Sequence, residues 1–72
     1  MSIARYRGYI IEGFARPAGS GIFAALGRVT RGRHTIEESD VLGLHERNER
    51  AQSQGLLWAQ RSVDRLEGPH EA

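Results

Sequence analysis

The last third of the chain contains one segment with an unbroken helical pattern, and this segment constrains the fold more than any other. Within residues 46 to 67, small and apolar side chains recur at helical spacing: Ala51, Gly55, Trp58, Ala59, Ser62, Val63 and Leu66. Asn48 or a neighbouring residue is placed to cap its start, and Gly68 followed by Pro69 ends it. A helix whose stripe is mostly small residues needs a surface close to its backbone, and one face of a sheet provides it.

The preceding residues predict that sheet. Residues 6–16 are rich in β-branched and aromatic residues and are followed by a proline, which has no N–H for a ladder. Turn-forming residues fill positions 17–21, and a second turn centres on Gly32. Two further strands are therefore predicted over residues 22–31 and 34–39.

These elements predict an α+β fold, a three-stranded antiparallel meander with one C-terminal helix packed on one face. The 72 residues leave room for a single small core, so we expect one domain over residues 1–67 and a flexible tail over residues 68–72. No apolar run approaches the length of a membrane span, and the chain lacks cysteine, so we expect a cytoplasmic protein without membrane contact.

The second turn also predicts how its two strands pair. Centring the turn on a two-residue loop places Arg28 opposite Glu37 and Val29 opposite Ile36, a charge pair beside an apolar pair. Trp58 is the one large residue of the helical stripe, and we expect it to fill the centre of the core.

A glycine motif raises the question of a bound nucleotide. Gly19, Gly21 and Ala24 have the spacing of a dinucleotide-binding loop, in which a helix must begin within the motif. The residues that follow include Gly27 and the alternating 28–31, which suit a strand better than a helix. We therefore interpret the motif as a hairpin turn and predict no cofactor.

The residues that commonly carry catalysis or bind metals are scattered. His34, His45 and His70 form no metal-binding motif, and Ser39 and Asp40 have no spacing that places them with His45 as a triad. His45 and Glu49 have the spacing of neighbours on a helix, which is typical of a solvated contact. We predict no catalytic residue and no metal site, and the chain is not expected to be an enzyme.

The formal net charge of +1 conceals an uneven distribution. Residues 1–36 carry six arginines and one acid, a charge of +5, whereas residues 37–72 carry four arginines and eight acids, a charge of −4. One interpretation is that the two halves attract each other when the chain folds or when two copies pair. The other is that the first half is a basic binding face.

Two binding functions follow from these patterns. The favoured one is an interaction module that pairs with itself as a homodimer or with an unidentified protein, through Leu42, Leu44 and Leu57. The alternative is nucleic-acid binding through the basic sheet and the tip of the second hairpin. Its candidate contacts are Arg28, Arg31, Arg33 and His34.

Three short motifs extend across most of the chain: Tyr6-x-Gly8-Tyr9, Gly21-x-Phe23-Ala24-Ala25, and Gly55-Leu56-Leu57-Trp58-Ala59 followed by Val63-Asp64. In these motifs the chain resembles a class of small uncharacterised bacterial proteins built as a three-stranded antiparallel sheet with a C-terminal helix. The chain departs from that pattern at Ser62, where a second aromatic residue is typical. The resemblance implies the fold and brings no activity with it.

Overall fold

Residues 1–69 are described by the computed structural model of the chain, which contains five strands and one helix. These are β1 (Ser2–Tyr6), β2 (Tyr9–Pro17), β3 (Phe23–Arg31), β4 (His34–Glu38), β5 (Gly43–His45) and α1 (Asn48–Glu67). The predicted α+β class is confirmed, and the antiparallel sheet has two strands more than the three expected. Residues 70–72 of the predicted tail lie outside the described residues.

The sheet is centred on β2 and β3. Its strands lie in the order β1-β2-β3-β4, and every pairing is antiparallel. The short strand β5 also pairs with β3, at the end that β4 does not reach. Each strand therefore neighbours the previous one in the chain except β5, which returns to the edge of β3 before α1 crosses the sheet.

The first strand was not expected, because residues 6–16 were predicted as one continuous strand. Arg7 and Gly8 have φ values of 51° and 88°, and this pair forms a tight turn that places Tyr6 opposite Tyr9. A left-handed conformation is unfavourable for arginine. Two 2.9 Å hydrogen bonds that Nη1 of Arg7 donates, to Asp64 Oδ1 and to the carbonyl oxygen of Gly68, hold it there.

The predicted pairing of β3 with β4 is wrong by one residue. Val29 lies opposite Glu37 and Arg28 opposite Glu38, whereas closer to the turn the pairing follows a two-residue loop. The shift is a β-bulge in which Ile36 is the extra residue. One inserted residue reverses the side of the sheet on which each later residue of β4 lies.

Glycines in the helix and in the sheet allow the two backbones to contact each other. A methyl group added to Gly55 of α1 would lie 2.8 Å from the carbonyl carbon of Leu26 and 2.9 Å from the Cα of Gly13. One added to Gly27, which pairs with Gly13 across the sheet, would lie 2.5 Å from the carbonyl oxygen of Gly55. The core next to this crossing is correspondingly small and consists of Tyr9, Ile11, Val29, Ala59 and Val63.

This close approach corrects the prediction that Trp58 fills the core. Trp58 is only partly buried, and its ring lies beside Gly27 at the flank of the helix. The backbones leave no space for an indole between them. The expected side-chain cap is also not formed. Asn48 is already helical and accepts a hydrogen bond from Gln52, and the residue before it, Arg47, makes no capping hydrogen bond with its side chain.

The end of the helix agrees with the sequence. Gly68 follows Glu67 with a φ of 79°, a conformation that glycine adopts without strain and that stops the helix. Within residues 1–69 there is no helix that is both long and apolar enough to cross a membrane.

Candidate protein interface

The helix covers one face of the sheet and leaves the other uncovered. Side chains alternate between the two faces of a strand. Because Gly13 and Gly27 lie under α1, the even-numbered residues of β2 and β3 point away from the helix. We call the uncovered side the open face. Its apolar residues are Ile3, Ile10, Phe14, Ala24, Leu26 and Leu44, and its charged residues are Arg5, Glu12, Arg16, Arg28 and Glu38.

Large apolar side chains of the open face remain in contact with solvent. Ile3 on β1 is 61% exposed and Leu44 on β5 is 64% exposed, at opposite edges of the sheet. Between them, Phe14 and Leu26 form a cross-strand pair, and both are partly exposed. Within the described chain no element packs over these residues, so the sheet has an apolar surface that the monomer does not bury.

An ion pair lies at the centre of this apolar surface. Arg28 donates from Nε to Glu12 Oε1 at 3.1 Å and from Nη2 to Glu12 Oε2 at 3.2 Å. The guanidinium carbon also lies 4.8 Å from the ring centroid of Phe14, in a cation–π contact. Glu12 is only 7% exposed, and its hydrogen bonds raise the pKa of Arg28 above the ordinary value.

The structure separates the three leucines predicted as an interface. Leu44 belongs to the open face, whereas Leu42 and Leu57 line a shallow groove on the helix side. The other residues that line the groove are Gln54, Trp58, Arg61 and Arg65. Ile3, Phe14 and Leu26 were not predicted as interface residues. Side chains alternate between the two faces along residues 10–16, and this alternation identifies the uncovered face only once it is known which side α1 covers.

The four residues predicted to contact nucleic acid do not form one site. Arg28 is held by Glu12 on the open face, away from the hairpin tip. Arg31 lies with its guanidinium carbon 5.1 Å from the ring centroid of Tyr9. Arg33 and His34 are exposed at the tip, and Arg33 has no ion pair within residues 1–69.

A cleft lies between the β1–β2 turn and the β3–β4 turn, which are at the same end of the sheet. It is lined by Arg5, Tyr6, Arg7, Gly8, Tyr9, Ile10 and Gly32. Carboxylates from the end of α1 lie beside it, since Asp64 accepts hydrogen bonds from Tyr6 (2.7 Å) and Arg7, and Glu67 accepts one from Tyr9 at 2.9 Å. The bond to Asp64 raises the pKa of Tyr6 above its ordinary value. These acids offset part of the positive charge that the arginines bring to the cleft.

The glycine motif is a hairpin turn, as the sequence indicated. Gly19 and Gly21 have φ values of 90° and 71°, and both lie exposed between β2 and β3. The N–H of Ala18 donates to the carbonyl oxygen of Ile22 at 2.8 Å and closes the turn. A strand follows the motif, so it has no helix N-terminus on which a pyrophosphate would lie.

The pair of His45 and Glu49 suggested by the sequence is not joined in the structure. His45 Nε2 lies 2.6 Å from Oε1 of Gln54, and Glu49 pairs with Arg47, so His45 and Glu49 do not act together. Residues 1–69 contain no group of three acidic or histidine side chains placed to bind a metal ion.

Comparison of the chain with models of protein families, with curated proteins and with solved structures finds no match. Any assignment of function therefore depends on the open face, the groove and the cleft described above.

Proposed function

We propose that this chain is a non-enzymatic interaction module that associates with a second copy of itself through the open face of its sheet. The observation that carries this proposal is the surface itself. Ile3 and Leu44 are each more than 60% exposed beside the partly exposed pair of Phe14 and Leu26. Large exposed apolar patches on small proteins are typical of interaction sites.

The size of the chain supports association. A domain of 72 residues gains limited stability from its own core, and small domains commonly add disulfides, a structural metal or a partner. The chain has no cysteine, and its described part has no metal-binding group. A second copy covers the open face without requiring either device.

The charges of the open face favour a second copy over an unrelated partner. The face carries both signs, with Glu12 and Glu38 beside Arg5, Arg16 and Arg28. A surface with both signs is able to complement itself, and closed two-fold pairing is the commonest form of association between identical chains.

The strength of the association follows from the area that remains exposed. Burying one Ile or Leu side chain that is more than half exposed stabilises a complex by about 1–2 kcal/mol. Association itself costs roughly 4–15 kcal/mol. Two exposed aliphatic residues and two partly exposed ones on each copy therefore predict a dimer that dissociates on dilution.

Nucleic-acid binding is less well supported. Of its four candidate contacts, Arg28 is neutralised by Glu12 and Arg31 is stacked on Tyr9. Asp64 and Glu67 lie at the same end of the molecule as the hairpin tips. A phosphate backbone would meet these carboxylates together with the arginines, and this repulsion weakens the electrostatic attraction on which such binding depends.

The experiment is a measurement of solution mass by light scattering over a wide range of concentration. We expect the mass to rise from 8.0 kDa toward twice that value in the unmodified chain. The variant I3K/L44K should remain monomeric and folded, because both residues are already mostly exposed in one copy. The matched control L57K/L66K changes two aliphatic residues of α1 that are 45% and 46% exposed, and it should dimerise normally.

Two outcomes contradict the proposal. A mass of one chain at every concentration would exclude self-association. A dimer that survives I3K/L44K and is lost in L57K/L66K would move the interface to the helix side, where Leu57 and Trp58 line the groove.

A further inference from the structure

We infer that the two copies pair about a two-fold axis parallel to the strands and between β2 and β3, so that Glu12 of each copy lies over Arg28 of the other. This inference rests on the proposed dimer and adds the arrangement of the two sheets within it. Sheets that pack face to face keep their strands within about 30° of each other, so the axis lies close to the strand direction or close to its perpendicular.

The register between β2 and β3 makes the first arrangement complementary. On the open face Glu12 lies opposite Arg28, and Phe14 lies opposite Leu26. An axis between these two strands exchanges the members of each pair. It therefore places a carboxylate over a guanidinium and an aromatic ring over an aliphatic side chain.

The second arrangement brings like charges together when its axis passes through the ion pair. An axis perpendicular to the strands, through the row of Glu12 and Arg28, places each of these residues over its own counterpart in the other copy. Like charges facing each other in an interface oppose association. Of the two symmetric arrangements whose axis passes through the ion pair, the charges therefore favour the one with its axis parallel to the strands.

The hydrogen bonds of the pair leave capacity for a partner. Arg28 uses its Nε and one hydrogen of Nη2, and a guanidinium has five N–H groups. Each oxygen of Glu12 accepts one of these bonds, and Glu12 is only 7% exposed, so most of the remaining capacity lies on Arg28, whose side chain is 36% exposed. A charged pair loses water when an interface covers it, and new hydrogen bonds from the other copy compensate for that loss.

The outer strands of the two copies also face each other in this arrangement. Arg5 lies on β1 at one edge and Glu38 on β4 at the other, and both belong to the open face. The proposed axis places β1 of one copy over β4 of the second. Ile3 shares the row of Glu12, Arg28 and Glu38, so the residue directly over Glu38 of the second copy is Ile3. Arg5 lies one side-chain repeat further along β1, about 7 Å away, a distance that its long side chain can span.

The test exchanges the two charges in the variant E12R/R28E, which retains the pair within one chain. The variant should dimerise by itself as the unmodified chain does. When the two are mixed, a mixed dimer places acid over acid and arginine over arginine. We expect native mass spectrometry to find mixed dimers at about one tenth of the statistical proportion or less.

A second measurement covers the case in which the exchanged variant fails to fold. The chain has no cysteine, so F14C and L26C can be prepared as separate single-cysteine variants and mixed under oxidising conditions. We expect disulfides between the two variants in preference to disulfides within either one.

The outcomes distinguish the two proposals. Mixed dimers at or above the statistical proportion, or an absence of F14C–L26C disulfides in a sample that light scattering shows to be dimeric, would overturn the strand-parallel arrangement alone. A sample that is monomeric at every concentration would remove the dimer itself and the arrangement with it.

Discussion

The side chains of Glu12 and Arg28, opposite each other on β2 and β3, form a two-point ion pair on the face of the sheet that the helix leaves uncovered. Glu12 is 7% exposed although no other element within residues 1–69 covers it, because Arg28 and the neighbouring side chains of the same face surround it. The pair thus removes Arg28 from the basic surface suggested by the sequence and makes it part of a mixed apolar and charged surface.

The crossing of helix and sheet predicts an unusual response to alanine. Alanine at Gly55 raises helix propensity by about 1 kcal/mol. Its methyl group, however, would press on the backbone of Leu26 and Gly13, which cannot rotate away. We expect G55A to lower the free energy of unfolding by about 2 kcal/mol or more, measured by urea denaturation.

The exposed residue Ser53 on the same helix provides the control. S53A should leave the free energy of unfolding unchanged or raise it by about 0.5 kcal/mol. If G55A were as stable as S53A, helix and sheet would not be in backbone contact at this position.

The hydrogen bond from Tyr6 to Asp64 predicts a loss of stability in alkaline solution. Its effect is to raise the pKa of Tyr6 above 10.0, so the folded chain holds the phenol proton more tightly than the unfolded chain. The contribution of Tyr6 is fully present below pH 10 and is lost as the pH rises through the raised pKa.

Comparison with Y6F isolates this effect. Between about pH 9 and 11, the free energy of unfolding should fall more steeply in the unmodified chain than in Y6F, which has no proton to lose at this position. Parallel curves over that range would show that the Tyr6 hydroxyl is not bonded to Asp64 in solution.

We expect the arginines at the tip of the β3–β4 hairpin to make no contribution to nucleic-acid binding. Exposed charges add little to stability, so R31A/R33A should fold normally. We expect weak binding of duplex DNA at physiological salt in the unmodified chain and no change in the variant. R50A/R61A is the control, because it removes the same charge from exposed positions of α1.

A change in the salt dependence of DNA binding in R31A/R33A would support the alternative function, nucleic-acid binding. Each phosphate that the protein neutralises contributes a slope of about −0.9 in log K against log salt. Sub-micromolar binding whose slope flattens by about two units in R31A/R33A, and not in R50A/R61A, would place a nucleic-acid site at the tip.

Sequence signals located the elements that depend on local interactions. The predicted helix over residues 46–67 is observed as Asn48–Glu67, and Gly68 ends it as expected. The turn over residues 17–21 is also present, since glycine and proline impose it locally.

The features that were missed depend on contacts between distant residues. Arg7 adopts a left-handed conformation that Asp64, 57 positions away, stabilises, so the first turn and β1 had no clear local signal. Trp58 lies at the flank of the helix because Gly13 and Gly27 allow the helix backbone to contact the sheet. The spacing of Trp58 within the helical pattern does not reveal this contact. The open face became visible only once the side covered by α1 was known.

The most direct measurement of the central claim is an isotope-filtered NOE experiment on a mixture of labelled and unlabelled chains, which detects only contacts between copies. At a concentration where the mass is that of a dimer, we predict contacts between copies at Ile3, Phe14, Leu26 and Leu44, and none at Leu57. Contacts between copies that involve Leu57 and leave the four open-face residues without any would contradict the account.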